Sequence, residues 1–262
     1  MKLLLLADIH NRQDWLAWAS KQNADLTAAA GDLLNAFCEN GLLPQMVETK
    51  KWADSFPTPL AISSGNHDGN IEGGQKAIDP LVLLEYPEAH ALLTPENWMD
   101  ALGRQGVVTD RRTEILETPA GKIIVTTIPF YPGPQGPKIC NQLWDRGGEL
   151  KKSSGLPWIV LNHEPPAETA IGGHWGDTSL YWKIQDSPPD FIACGHMHAQ
   201  PYMGDFADRL GPTWCFNTGA PETEHQRIPN HLLVETDKGT ATWHKNPQTG
   251  TGKPEKIVKK IS

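Results

Sequence analysis

The chain has 262 residues, 39% hydrophobic and 8% aromatic, which suits a soluble globular protein with a sizeable core. Its 23 basic and 31 acidic residues give a formal charge of −8, which argues against non-specific nucleic-acid binding. Four cysteines (Cys38, Cys140, Cys194, Cys215) lack C-x-x-C spacing, so neither a zinc knuckle nor a disulfide framework is supported and reduced thiols are expected.

The opening run Met1-Lys2-Leu3-Leu4-Leu5-Leu6-Ala7 is too short for a signal peptide and stops at Asp8 and His10. It reads as a strand, Lys2 to Ala7, buried on both faces. No stretch approaches the length of a membrane span, and a cytoplasmic location is expected. Asn11 is placed as the cap of the next helix, with Asp14 in the capping-box position and Trp15, Leu16, Trp18 and Ala19 as its apolar stripe. Ala24 to Ala30 predicts a second strand ending at Gly31-Asp32, and Leu42 to Phe56 a helix. A third strand, Leu60 to Ser63, follows Pro59 and runs into Gly65-Asn66-His67-Asp68. This β-α-β-α-β order implies a parallel sheet with helices packed on it.

Asn70 to Leu93 reads as a loop-rich excursion, and Thr94-Pro95 as the start of a helix running to about Gly103. Short strands are predicted at Gly106–Thr109, Thr113–Thr118 and Lys122–Ile128. The proline-rich stretch Pro129–Pro137 predicts a loop, and Ile139–Lys152 a helix. Three later strands each lead into polar residues: Trp158–Leu161 into Asn162-His163, Phe191–Cys194 into Gly195-His196-Met197-His198, and Trp214–Phe216 into Asn217-Thr218-Gly219. A hairpin, His231–Glu235 with Thr240–His244, closes the chain, and Lys256, Lys259 and Lys260 read as a solvated tail. With no internal repeat and no linker, one domain spanning residues 1–262 is expected.

The polar groups share one feature. Asp8, His10, Asp32, Asn66, His67, His163, His196 and His198 all lie just past predicted strand ends, the edge where open α/β sheets bind ligands. A lone Asp-x-His or His-x-His carries little weight, but five such pieces in this order point to a metal centre. The donor set mixes imidazole and oxygen with no thiolate, which suits Mn, Fe, Zn, Co or Ni. No G-x-x-x-x-G-K-[ST], H-E-x-x-H or G-x-S-x-G motif occurs, so those rival chemistries have no support.

The series D-x-H, G-D, G-N-H-D, a single His and G-H-x-H, from Asp8 to His198, resembles the calcineurin-like metallophosphoesterase superfamily. That resemblance implies an α/β fold, a two-sheet β-sandwich flanked by helices in four α/β/β/α layers. It implies a dinuclear phosphoesterase cleaving a phosphomonoester or phosphodiester, of a small molecule or nucleotide, by attack of a metal-bridging hydroxide. Two divalent ions are implied. Asp8, His10, Asp32 and His198 would hold the first; Asp32 would bridge to the second, completed by Asn66, His163 and His196. His67 would contact the phosphate or protonate the leaving group, with Asp68 orienting it. Departures from the phosphoprotein phosphatase branch, Leu33-Leu34-Asn35 after Gly31-Asp32 and Asp68 after Gly-Asn-His, leave its phosphate-clamping arginines without counterparts and speak against a protein substrate. A non-catalytic scaffold on the same fold is the alternative, favoured by missing ligands; none is missing. Asn217 is a candidate substrate or supporting contact. His174, and the pair His225 and Arg227, are expected to be solvated. Trp98, Trp144, Trp175 and Trp182 are candidates to stack a ring.

Overall fold

The structure, a computed structural model, describes residues 1–37, 41–57, 59–68, 86, 92, 98–130, 136–220, 226, 228–247 and 253–261. Most of 70–93, the loop residues 131–135, and Cys38, His225 and Arg227 therefore lie outside the described residues.

Two mixed sheets lie face to face with helices on both outer sides. The first has seven strands: β1 (Lys2–Leu6), β2 (Leu26–Ala30), β3 (Leu60–Ser63), β4 (Val107–Val108), β11 (His231–Glu235), β12 (Thr240–Lys245) and β13 (Glu255–Lys260). Their order is β13-β12-β11-β1-β2-β3-β4, with β1 to β4 parallel and β11 antiparallel to β1. The second contains β5 (Arg112–Thr118), β6 (Gly121–Thr127), β7 (Trp158–Leu161), β8 (Phe191–Cys194), β9 (Ala207–Leu210) and β10 (Thr213–Asn217) in the order β5-β6-β7-β8-β10-β9.

Strand alternation assigns each apolar side chain to a layer. In β1, Leu3 and Leu5 face the inter-sheet core with Val125, Ile159, Leu161 and Phe216. Leu4 and Leu6 face the other way, against Trp15 and Leu16 of α1 (Gln13–Ala19) and Met46, Val47 and Trp52 of α2 (Leu43–Ser55). The outer face of the second sheet is covered by α3 (Gly136–Ser154) and α4 (Thr178–Asp186), through Trp144, Leu180 and Ile184 on Trp158, Val160 and Ile192. Burial on both faces explains why these strands read as unbroken apolar runs.

Several local expectations need correction. Asn11 does not cap α1: it has φ 63 and accepts from the Gln13 side chain at 3.0 Å, and the cap position is Arg12, with no side-chain cap bond. The predicted helix after Pro95 is described only at its end, a 3₁₀ turn over Trp98–Leu102. The lysine tail is an edge strand, β13, whose Lys259 reaches Asp205 at 2.6 Å and the Ala207 carbonyl at 2.5 Å. Lysines on an outermost strand also discourage further strand addition. Three short elements were not expected: α4, β9 and α5 (Gln200–Met203).

One buried histidine outside the strand-end cluster ties this fold to pH. His231 stacks on His244 (ring centroids 4.3 Å) and packs on Trp18 (4.5 Å). Burial pushes its imidazole down to about 4, despite the Pro229 carbonyl it contacts, with His244 and Lys256 adding to the effect. The unfolded chain takes up this proton near its ordinary value of about 6.5. Stability is therefore complete above pH 6.5, falls as the pH drops, and the loss is finished below about 4. At about 1.4 kcal/mol per pH unit the full loss is roughly 3 kcal/mol. Urea unfolding of His231→Phe across this window should show a fall shallower by about that amount; parallel curves for the two proteins would refute the assignment.

Candidate metal centre

The site forms where the C-terminal ends of β1, β2 and β3 meet those of β7 and β8. Past the strands the backbone stays zipped: Asp8 N–H donates to Gly31 O (3.1 Å), His10 N–H to Asp32 O (2.9 Å) and Gly195 N–H to His163 O (2.9 Å). The two sheets are joined here by His163, whose Nδ1 donates to the Ala30 carbonyl at 2.7 Å. That bond fixes a proton on Nδ1 and aims Nε2, the nitrogen that would serve as a ligand, inward.

The strand ends carry unusual backbone. Asp8 (φ 54), His10 (φ 47), Asp32 (φ 54) and His196 (φ 64) all occupy the left-handed region. Each costs about 1–2 kcal/mol, a strain that gathers at functional sites and turns these side chains inward. Two glycines make the close approach possible. A Cβ on Gly195 would stand 2.6 Å from Asp8 Oδ2, and one on Gly65 would overlap Asp32 Oδ1 and lie 2.5 Å from its backbone N. The glycines that precede ligand candidates in sequence are thus the ones against which another candidate packs.

Two groups of donors converge, with Asp32 between them. In the first, His198 Nε2 lies 3.1 Å from Asp8 Oδ1 and 3.3 Å from His10 Nε2. One donor atom each from Asp8, His10, Asp32 and His198 all fall within 4.8 Å of one another. In the second, Asn66 Oδ1 meets His163 Nε2 at 3.1 Å and His196 Nδ1 at 2.9 Å. Asp32 Oδ2 faces both, at 4.0 Å from His10 Nε2 and 3.3 Å from His163 Nε2. The structure therefore brings together Asp8, His10, Asp32, Asn66, His163, His196 and His198.

These residues fit a cation. Asp8 is buried, and its Oδ2 has no hydrogen-bond partner among the described residues, a costly state for a carboxylate oxygen. Imidazole nitrogens that point at each other and at carboxylates form the kind of mixed nitrogen and oxygen donor set that suits a divalent cation. Burial works against ionisation of Asp8, but His198, His163 and His10 outweigh it and hold the carboxyl well below the usual range. Burial likewise opposes a charged His163, yet the bond to Asp32 and the charges of Asp32 and Asp8 raise it to about 9. The proton on His163 occupies the place a divalent ion would take, so loading a metal displaces it.

His67 stands at the rim. Its backbone N–H donates to Asp32 Oδ1 (2.8 Å), and its ring packs edge-on to His10 at 4.6 Å. The Ala36 N–H donates to His67 Nδ1 at 3.0 Å, so the ring proton sits on Nε2, the nitrogen 3.9 Å from Asp32 Oδ2.

Two predicted roles are corrected. Asp68 does not orient His67. It is fully buried, and its carboxylate accepts the N–H groups of Leu33 (3.2 Å), Leu34 (2.8 Å) and Gly65 (2.9 Å), pinning the second and third strand-end turns together. Burial and the nearby Asp32 push its carboxyl up to about 7, against those three donors. Asn217 does not face a substrate: it is buried, donates to Ile171 O and Met197 O (both 3.2 Å) and accepts from Gly219 N–H. It holds Met197, between the two histidines of the last motif. His174 is exposed and pairs with Glu168, as expected. Of the tryptophans, Trp98 and Trp144 are core residues, while Trp175 and Trp182 are exposed.

Sequence reasoning missed Phe130, whose ring lies 5.7 Å from His163 and 5.8 Å from His196. It also missed Asp110, buried and accepting the Ser64 N–H at 2.6 Å. A carboxylate directly after the strand prediction Gly106–Thr109 was the available signal for Asp110; Phe130, inside a proline-rich loop, offered none.

Comparisons with known proteins agree with this geometry. No sequence among curated proteins matches the chain. A solved structure of PhoD aligns over 100% of this chain and 70% of its own, with 10% identity and a TM-score of 0.51. The NAD nucleotidase NadN of Haemophilus influenzae aligns over 98% of this chain and 49% of its own, with 12% identity and a TM-score of 0.50. This chain thus spans about half the length of that nucleotidase. At these identities the likeness is one of fold. The family model for calcineurin-like phosphoesterases matches residues 1–200, every strand-end motif included. On that match the chain belongs to the calcineurin-like phosphoesterase family.

Proposed function

We propose that the chain is a dinuclear metal-dependent phosphoesterase that hydrolyses a phosphomonoester or phosphodiester of a small molecule or nucleotide. The observation that carries this reading is Asp32 Oδ2, set between two donor groups that each offer imidazole and oxygen. Asp8, His10, Asp32 and His198 would hold one ion; Asp32, Asn66, His163 and His196 the other. Mn, Fe, Zn, Co and Ni all suit these donors. When bound, such ions supply Lewis acidity toward phosphoryl oxygens and lower the pKa of water at the site. We assign the whole of residues 1–262 to one domain and expect it in the cytoplasm.

The protein's own groups do the rest. The Ala30 carbonyl fixes the His163 tautomer, and the Ala36 N–H fixes that of His67. His67 therefore offers an Nε2–H donor on the side facing Asp32, where it can hydrogen-bond a phosphoryl oxygen; to give a proton to the leaving oxygen the ring would first take one on Nδ1 and release the Ala36 N–H. Among the described residues no helix is long and apolar enough to cross a membrane.

The test is reconstitution with each metal, followed by elemental analysis and a panel of phosphomonoesters and phosphodiesters. Two divalent ions per chain and hydrolysis of at least one ester class are expected. One ion with full activity would overturn the dinuclear reading, and no hydrolysis with any metal would overturn the enzyme.

A further inference from the structure

We infer that Phe37 is a specificity-determining residue, a stacking platform that selects phosphoesters whose leaving alcohol carries a flat aromatic ring. The inference rests on the phosphoesterase reading above and deepens it by naming a substrate class. Phe37 is 85% exposed, and its ring stands 5.0 Å from the His67 ring at an interplanar angle of 88°. The contacts continue inward, His67 to His10 at 4.6 Å and His10 to His198 at 5.2 Å. Phe37 is thus the outer end of a row of rings that begins inside the metal centre.

A single exposed phenylalanine usually calls for no explanation. This one differs in how its backbone is held. Five consecutive N–H groups, Leu33 through Phe37, are each accepted by a side chain: the two Asp68 oxygens, Gln45 Oε1, His67 Nδ1 and Asn35 Oδ1, at 2.7–3.2 Å. Gln45 returns two bonds, to the carbonyls of Asn35 and Gly41. Three of the five acceptor atoms belong to His67 and Asp68, the turn that also carries Asn66. The arm bearing Phe37 is therefore positioned by the same turn that builds the site.

A hydrophobic ring held in water by such a scaffold is pre-organised for a partner, which lowers the ordering cost of binding. A phenyl face takes another flat ring in offset or edge-to-face contact. A ring on the leaving alcohol, aryl or nucleoside, would meet Phe37 as its ester oxygen meets the Nε2–H of His67. The competing role is a shield that merely keeps water off His67; a shield would affect all esters alike.

Phenylphosphonate and methylphosphonate separate the two roles, because a C–P bond does not hydrolyse and both carry the same anionic group. Calorimetric binding to the metal-loaded protein should show the phenyl compound about tenfold tighter, the lower part of the range for ring stacking. Phe37→Ala should bring the two affinities together by weakening only the phenyl compound, with metal content unchanged. Phe37→Trp should restore the preference. Equal affinities in the wild type, or a preference that survives Phe37→Ala, would overturn the inference and leave the phosphoesterase reading standing. Binding of neither phosphonate would overturn both.

Discussion

Asp32→Asn should lower kcat/KM on every phosphoester substrate by on the order of 10³-fold, about 4 kcal/mol of transition-state stabilisation lost with the carboxylate that would hold both ions. The amide keeps the shape but loses the charge that His163 and His10 share. The same substitution should separate two contributions to stability. Without metal, Asp8 and Asp32 repel, so removing one charge relieves strain while it weakens the hold on His163. With metal, the folded state gains about 2.7 kcal/mol for each site loaded to a hundredfold over its Kd. With two sites the loss is about 5 kcal/mol, so chelation should lower the wild-type Tm by roughly 10–20 °C at about 2–4 °C per kcal/mol. Asp32→Asn should sit near the chelated wild type and respond little to added metal. A wild-type Tm that does not move when metal is shown to be gone would sink this account.

His67→Ala should lose about 10²–10⁴-fold in kcat/KM on alkyl or nucleoside esters, the usual yield of general acid catalysis. On nitrophenyl esters the loss should be far smaller, because that leaving group departs without a proton. Metal content should stay at the wild-type level, since His67 meets the cluster through its backbone N–H and ring edge, outside both donor groups. Asn66→Ala, one residue earlier, should behave in the opposite way. Its Oδ1 joins His163 and His196, so metal retention should fall and all substrates suffer together. Equal losses on both ester types for His67→Ala would make it a phosphate-positioning group, and loss of metal would place it among the ligands.

The residues that converge were legible because their signal is local. An unbroken apolar run that ends in Asp, Asn or His can be read within one segment, and β1, β3, β7 and β8 fall where those runs are. Each motif glycine was legible too, though its reason was not: Gly65 and Gly195 are small because Asp32 and Asp8 pack on them.

Roles were harder to read than positions. Asp68 follows His67, so neighbourhood in the chain suggests that one orients the other; in the fold its carboxylate turns to the β2 end and the Ala36 N–H takes the orienting role. Asn217 ends a strand as the ligand candidates do, yet its amide turns back into the backbone of Ile171 and Met197. Side-chain direction past a strand end depends on backbone angles such as the left-handed φ of Asp8 or His196, which no pattern of residue types specifies.

By itself the sequence determined the buried strands, the parallel direction of β1, β2 and β3 and the residues available for a metal centre, because periodicity and strand-end chemistry are properties of short segments. Its two-sheet architecture was legible only through family resemblance. Tertiary structure alone decided the partners: Asp8 with His198, Ala30 with His163, and Phe37 with His67. The first two are separated by more than a hundred residues, and all are brought together by sheet packing, which burial drives without regard to separation along the chain.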